Sequence, residues 1–181
     1  MSWMQTYTGR KFSLLNPTAD DVDIVDIAHA LSNICRFNGH VMSFYSVAQH
    51  SVIVSHFVEP ENALWGLLHD AHEAYVGDVI APMKAAVLKE FLESGGAFST
   101  AIERRVQSVV RKKFSLPYPP PLDVKRVDLL ALATESRDVM GGQRGGDWAI
   151  PPDVLPIKIK PWSPAMAKRM FLDRFAELTS G

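Results

Sequence analysis

The chain has 181 residues, 47% of them hydrophobic, which is enough apolar material for one globular domain with a sizeable core. A formal net charge of −1 argues against a nucleic-acid-binding scaffold, which would normally carry a basic patch or stripe. The one cysteine, Cys35, cannot form an internal disulfide, and the sequence shows neither a signal-peptide pattern nor an apolar run long enough for a membrane span. We therefore expect a single cytoplasmic domain over residues 1–181, with no nucleic-acid or membrane partner.

The N-terminal part of the chain predicts a small hairpin followed by a helix. Residues 3–15 are typical of two short strands around a turn at Thr8-Gly9. Acidic residues between Asp20 and Asp26 are typical of a helix N-terminus, and apolar residues at core spacing extend that helix to about Cys35.

The segment after this first helix has two interpretations. Arg36 and Phe37 are followed by Asn38-Gly39, and a basic residue before a glycine-containing turn is common at helix C-termini. The same residues would also suit a substrate loop, because the planar guanidinium of Arg36 can bind a phosphate in a bidentate manner.

The second predicted helix runs from about Phe44 to Phe57. Val47, His50 and Val54 share one face of it, so His50 is expected to point inward. An isolated inward histidine is usually a core residue whose hydrogen bonds are satisfied.

The stretch Ala63–Asp78 has the most unusual pattern in the chain. Its first part is apolar on every side, which predicts a buried helix. His69 and Asp70 follow side by side within the same predicted helix, and Glu73 shares their face one turn later. A buried carboxylate is costly unless it is paired or binds a metal, so the stretch predicts a set of ligands with spare carboxylates.

Further helices are predicted downstream of this stretch. One begins at Pro82 and carries Lys84, which is either an exposed helix residue or a phosphate contact. The next is strongly charged, and Glu103 with its basic neighbours predicts a solvated face. A third, Leu122–Met140, places Asp128 on an apolar stripe, where a structural ion pair is the first interpretation.

Four motifs in order, over about residues 22–140, resemble the HD-domain metal-dependent phosphohydrolases. They are Ser46–Ser51, His69-Asp70 with Glu73, Gly77-Asp78 with Pro82 and Lys84, and Val124–Asp128. The resemblance implies a mostly α-helical HD-domain bundle that holds one divalent transition metal ion, Co, Mn, Zn or Fe. The metal ligands that it implies are His50, His69, Asp70 and Asp128.

The resemblance is strongest to the 5′-deoxynucleotidase-like subgroup, and it implies roles for the other site residues. Glu73 would take a proton from the attacking water, and Asp78 would hold that water or a sugar hydroxyl. Arg36, Phe37 and Lys84 would contact the substrate. In that subgroup an Arg-aromatic pair precedes the first metal histidine, which favours the substrate-loop interpretation of Arg36.

We therefore expect a metal-dependent phosphohydrolase that acts on a nucleotide, first of all a deoxynucleoside 5′-monophosphate. A deoxynucleoside triphosphate hydrolase is one alternative, and a degenerate domain that binds a nucleotide without turnover is another. The general base Glu73 argues against the second alternative, because a binding domain does not need one. The expected partner is the small-molecule nucleotide, and the sequence leaves monomer and homodimer open.

Overall fold

A computed structural model describes residues 3–94, 99–141 and 152–180. The described chain is mostly α-helical with a small two-stranded antiparallel sheet at its N-terminal end, so the predicted fold class is confirmed. The helices are α1 (Ile24–Asn33), α2 (Val47–Phe57), α3 (Ala63–Leu68), α4 (Glu73–Val76), α5 (Ala81–Ser94), α6 (Ser99–Lys113), α7 (Leu122–Asp138) and α8 (Pro164–Thr179).

The hairpin consists of β1 (Trp3–Gln5) and β2 (Lys11–Ser13). Gly9 in the connecting turn has φ of +84°, a conformation that glycine adopts without steric cost. Phe12 of β2 is fully buried and stacks on Tyr75 of α4, with ring centroids 3.9 Å apart. The hairpin is therefore fastened to the helical part of the molecule by aromatic packing.

Helix α2 lies at the centre of the bundle and packs against α1, α3, α7 and α8. The side chain of Ser46 caps its N-terminus by accepting a hydrogen bond from the backbone N–H of Gln49. Residues 47–55 are all buried, and His50 has no exposed surface. The predicted inward orientation of His50 is confirmed.

Helices α2 and α3 approach closely at Gly66. A Cβ atom at this position would lie 3.0 Å from the Cα of Ser55 and 3.0 Å from the Cγ2 of Val58, closer than carbon atoms normally pack. Glycine therefore sets the spacing between the helix that carries His50 and the segment that carries His69.

The predicted continuous helix through His69 is wrong in its middle part. Helix α3 ends at Leu68 and α4 begins at Glu73. Between them the backbone N–H groups bond to carbonyls three residues back, as in the 2.9 Å bond from Glu73 to Asp70. The Nδ1 atom of His69 lies 2.8 Å from the Gly66 carbonyl, which the helical ladder would otherwise use, so a side chain competes with the regular bonding.

Helix α4 ends at Gly77, whose φ of +82° is favourable for glycine and turns the chain toward Asp78. Within the ranges that the structure describes, none of the helices is both long enough and apolar enough to cross a membrane.

Candidate metal centre and cleft

His50 of α2 is held in a defined orientation by α7. Its Nδ1 lies 2.6 Å from the Oε1 of Glu135, and both side chains are fully buried. A carboxylate accepts, so Nδ1 carries the hydrogen and Nε2 presents its lone pair on the opposite side of the ring. Burial and the charge of Arg36 oppose protonation of His50, but its carboxylate neighbours outweigh them and raise its pKa to about 9. The environment of this ring therefore favours a positive charge.

His69 is oriented in the same way from the other side of the site. Its Nδ1 lies 2.8 Å from the Gly66 carbonyl, which can only accept a hydrogen bond, so its Nε2 is also left with a lone pair. The two Nε2 atoms of His50 and His69 are 3.2 Å apart. Two lone pairs that faced each other at this distance would repel, so the pair requires either a proton on one Nε2 or a metal ion between the rings. The raised pKa of His50 supplies the proton when no metal is bound.

Two carboxylates complete the cluster. The Oδ1 of Asp128 lies 3.1 Å from the Nε2 of His50, and the Oδ2 of Asp70 lies 3.1 Å from the Nε2 of His69. Burial opposes ionisation of both aspartates, but the adjacent histidines outweigh it and hold the pKa of each carboxyl below its usual range. In their unprotonated forms these four side chains present only lone pairs toward one another. Such lone pairs are what a transition-metal ion binds.

The residues present fit one divalent transition metal ion. Donor atoms of His50, His69 and Asp128 all lie within 4.8 Å of one another, and Asp70 adjoins them. Two imidazoles and two carboxylates suit Zn, Fe, Co or Mn. The hydrogen bond that His50 donates to Glu135 is typical of the outer contacts that fix the tautomer of a metal-binding histidine. The structure brings the four predicted ligands together from α2, α7 and the segment after α3.

A cleft with a volume of about 530 Å³ opens over this cluster. Asp70 and Asp128 line it, together with Glu73 and Asp78. Its lining also includes the apolar residues Val79, Ile80, Ala81, Pro82, Leu132 and Met140. The cleft thus combines the carboxyl groups of the candidate metal site with apolar surface that suits an uncharged ring.

Glu73 is the most strongly perturbed carboxyl of the cleft. It is almost fully buried, and its Oε2 has no hydrogen-bond partner within the described residues. Burial first, and then the charges of Asp70 and Asp78, raise its pKa to about 10. A buried carboxyl without a partner at the edge of a cleft is a candidate for proton transfer.

Arg36 lies beyond the end of α1, so it does not cap that helix. Its Nε and Nη2 donate to Oε2 of Glu135 at 3.2 and 3.0 Å, and its Nη1 lies 3.9 Å from Oδ2 of Asp70. Arg36 and the adjacent Phe37 both line the cleft. The guanidinium therefore connects the buried Glu135 to the cleft, and its contact with a substrate stays a prediction.

Lys84 is placed differently from the other predicted site residues. Its Nζ lies 2.7 Å from Oε1 of Glu103, and Lys84 is not among the described residues that line the cleft. Glu103 also contacts His72, so the prediction of a merely solvated face for it is wrong. The sequence held a signal for this: Glu103 precedes the buried Val106 and Val110 by three and seven residues, on the same helix face.

No protein-family model matches the chain. The chain is similar to the uncharacterized protein YfdR of Escherichia coli, with 40% identity over 182 residues, which cover 99% of this chain and 97% of that protein. It is also similar to an uncharacterized protein of Rhodobacter capsulatus, with 34% identity over 153 residues, 77% of this chain and 74% of that protein. Neither name gives an activity, so the site itself is the basis for a function.

Proposed function

Because the chain belongs to the same family as the uncharacterized protein YfdR of Escherichia coli, whose name gives no activity, we propose a function from the site. We propose that the protein is an HD-domain phosphohydrolase that uses one divalent metal ion to hydrolyse a phosphate ester of a nucleotide. The observation that carries the proposal is the pair of Nε2 atoms of His50 and His69, which lie 3.2 Å apart between two aspartates.

His50, His69, Asp70 and Asp128 would hold the ion. When bound there, a divalent ion supplies Lewis-acid chemistry and lowers the pKa of water. Hydrolysis then forms a bond from the water oxygen to phosphorus, breaks the ester P–O bond, and releases inorganic phosphate and an alcohol. The protein's own contribution is to move one proton from the water and to neutralise the charge on the phosphoryl oxygens.

Glu73 is the residue in this cleft that suits the proton transfer. In the metal-free protein its pKa of about 10 keeps it protonated at neutral pH. Neutralisation of the neighbouring Asp70 charge removes one of the causes of that shift and favours the ionised form. The unpartnered Oε2 of Glu73 can then accept the proton of the water, and Asp78 lies in the same cleft to orient it.

The charges in the cleft favour a monophosphate over a triphosphate. Arg36 is the only Lys or Arg among the described lining residues, and four carboxylates share the cleft with it. One guanidinium can pair with one phosphoryl group, whereas the additional charges of a triphosphate would lack cationic partners. The apolar part of the lining offers a surface for a sugar and a base. The cleft therefore favours a nucleoside monophosphate, and the resemblance to the 5′-deoxynucleotidase-like subgroup makes a deoxynucleoside 5′-monophosphate the leading substrate.

The test is release of inorganic phosphate from nucleoside and deoxynucleoside monophosphates and triphosphates, with Mn²⁺, Co²⁺ or Zn²⁺ added to chelator-treated protein. We expect metal-dependent release of phosphate from a monophosphate. Release of inorganic triphosphate would support the alternative hydrolase, and binding of nucleotide without turnover under every metal would support the non-catalytic alternative.

The variant Glu73→Gln tests the proton-transfer role, since the amide keeps the shape of the side chain but cannot accept the proton. We expect a loss in kcat on the order of 10²-fold or more, with the metal content unchanged. The matched control is Glu61→Gln, which changes an exposed glutamate just before α3. A normal kcat in Glu73→Gln would remove Glu73 from this role and leave Asp78 as the candidate.

A further inference from the structure

Outside the metal site, a second polar cluster joins three elements around Glu103. Its Oε1 lies 3.1 Å from the Nε2 of His72 and 2.7 Å from the Nζ of Lys84, so one carboxylate oxygen takes two hydrogen bonds. Because the carboxylate accepts, the His72 ring donates through Nε2. The three side chains come from α6, from the residue just before α4, and from α5.

The two partners of Glu103 each adjoin residues that line the cleft. His72 directly precedes Glu73, the candidate proton acceptor. Lys84 lies in the first turn of α5, whose opening residues Ala81 and Pro82 line the cleft. Glu103 therefore connects the start of α5 with the segment that carries the candidate proton acceptor.

The described side chains of helix α5 contribute little apolar burial. Its described side chains, at residues 81–89, are exposed or only half-buried, and Met83 and Leu88 are 54% and 49% exposed. The bond from Lys84 to Glu103 is a charge-assisted contact of the stronger kind. This contact joins the first turn of α5, where the described side chains pack little, to α6.

His72 depends on the same carboxylate. The residue is 5% exposed, and its Nδ1 has no hydrogen-bond partner in the described part of the chain. Loss of Glu103 would leave both ring nitrogens buried without a partner, a costly state that the segment can relieve only by moving. Because Glu73 is the next residue in the chain, any such movement would also shift its carboxyl group.

We infer that Glu103 is a positioning residue, which holds His72 and Lys84 so that Glu73 and the start of α5 keep the spacing that a bound phosphate ester requires. The inference rests on the proposed function for its kinetic consequence but not for its structural one. The rival assignment is that Lys84 leaves Glu103 and contacts the phosphate itself.

The kinetic test uses Glu103→Ala, Glu103→Gln and Lys84→Met, with Lys89→Met on the exposed part of α5 as the control. We expect Glu103→Ala to lower kcat/KM about tenfold, on the scale of a small misplacement in an active site. Glu103→Gln should recover part of this loss, because the amide oxygen still accepts from His72. Metal content should stay at the parent level in all four variants.

A double variant separates positioning from direct contact. If Lys84 acts through Glu103, the variant that combines Lys84→Met with Glu103→Ala should be no worse than Glu103→Ala alone. If Lys84 binds the phosphate, Lys84→Met should raise KM while Glu103→Gln leaves it unchanged, and the inference is then overturned. A fall in melting temperature with unchanged kcat/KM in Glu103→Ala would likewise reduce Glu103 to a structural role.

Hydrogen exchange tests the same network without any substrate. We expect the backbone amides of residues 72–76 and 81–89 to exchange about tenfold faster in Glu103→Ala, with the amides of α2 unchanged. Unchanged exchange in both segments would overturn the inference even in an active enzyme. If these amides exchange faster but the protein hydrolyses no nucleotide, the positioning role of Glu103 is supported and only the proposed function is wrong.

Discussion

Helix α7 carries two carboxylates seven residues apart on one face, and their surroundings are opposite. Glu135 is fully buried and is surrounded by donors: the fork of Arg36, the hydroxyl of Tyr45 at 3.0 Å and the Nδ1 of His50 at 2.6 Å. Asp128 is more exposed and lies 3.1 Å from the Nε2 of His50, which can take up a proton or a metal ion because Glu135 holds the other hydrogen at Nδ1. One carboxylate is fully hydrogen-bonded within the protein, and the other pairs with the cation, a proton or a metal ion, that this Nε2 holds.

His50 belongs to both clusters, one through each ring nitrogen. The donor-rich Glu135 cluster fixes the ring, and the fixed ring then presents its lone pair to the acceptor-rich cluster of His69, Asp70 and Asp128. The comparison explains why only one of the two clusters is suited to function. A site that is complete without a ligand contributes stability, and a site that lacks a cation can bind one.

The largest expected effect comes from His69→Ala, which removes one side of the acceptor cluster. We expect metal content to fall from about one ion per chain to nearly none and metal-dependent turnover to be lost. The parent should gain about 2.7 kcal/mol of stability when the free metal is one hundred times its Kd, and His69→Ala should gain almost nothing. Elemental analysis and thermal melts with and without chelator measure both.

The stability of His69→Ala without metal tests the same assignment in a second way. In the metal-free protein the raised pKa of His50 places a proton at its Nε2, so no metal-ligand bond is lost with His69. The substitution should therefore cost the metal-free protein less stability than it costs the metal-loaded protein. Full metal occupancy in His69→Ala would show that the acceptor cluster is not the metal site.

After this loss of metal and turnover, the largest effect on the stability of the metal-free protein is on the donor cluster. Glu135→Ala leaves the buried guanidinium of Arg36 without its carboxylate partner, and breaking a buried pair in this way costs about 3–5 kcal/mol. Urea unfolding of the chelator-treated protein should show this loss. Asp128→Ala, on the same helix, is the matched control, and its metal-free stability should change much less. Equal losses in the two variants would remove the distinction between the clusters.

The sequence predicts one of these clusters better than the other. His50, His69, Asp70 and Asp128 interrupt apolar patterns, which distinguishes them from their neighbours. The pattern alone favours a core histidine for His50 and an ion pair for Asp128, and the resemblance to the HD-domain phosphohydrolases is what implies that the four are ligands of one ion. The structure brings these four side chains together, with Glu73 and Asp78 at the adjoining cleft. Local patterns also predict the hairpin and most of the helices.

The parts that the sequence does not predict depend on partners that are distant in the chain or on competition for one atom. The hydrogen bonds from Arg36 to Glu135 join residues 99 positions apart in the chain. The bond from Lys84 to Glu103 joins residues of two different helices. The break after Leu68 arises because the His69 ring competes for a backbone carbonyl. None of these three features can be predicted from the spacing of apolar residues along the chain.

Arg36 touches both clusters, and its replacement by lysine is the smallest and most discriminating change. Lysine keeps the charge but replaces a planar fork with a point charge, so one of the two bonds to Glu135 is lost. We expect Arg36→Lys to lower the free energy of unfolding by about 1.5 kcal/mol, the value of one hydrogen bond to a charged group. If Arg36 also holds the phosphoryl group, KM for the phosphate ester should rise about tenfold, since the bidentate geometry is lost there as well.

The two effects of Arg36→Lys can be separated by their dependence on metal and substrate. The stability loss belongs to the donor cluster and should be the same in chelator-treated and metal-loaded protein, whereas the KM change appears only in the loaded enzyme. Lys125→Met, on the exposed side of α7, controls for general loss of positive charge. A stability loss with unchanged KM would confine Arg36 to the Glu135 cluster, and the cleft would then hold the phosphoryl group without a contribution from its guanidinium.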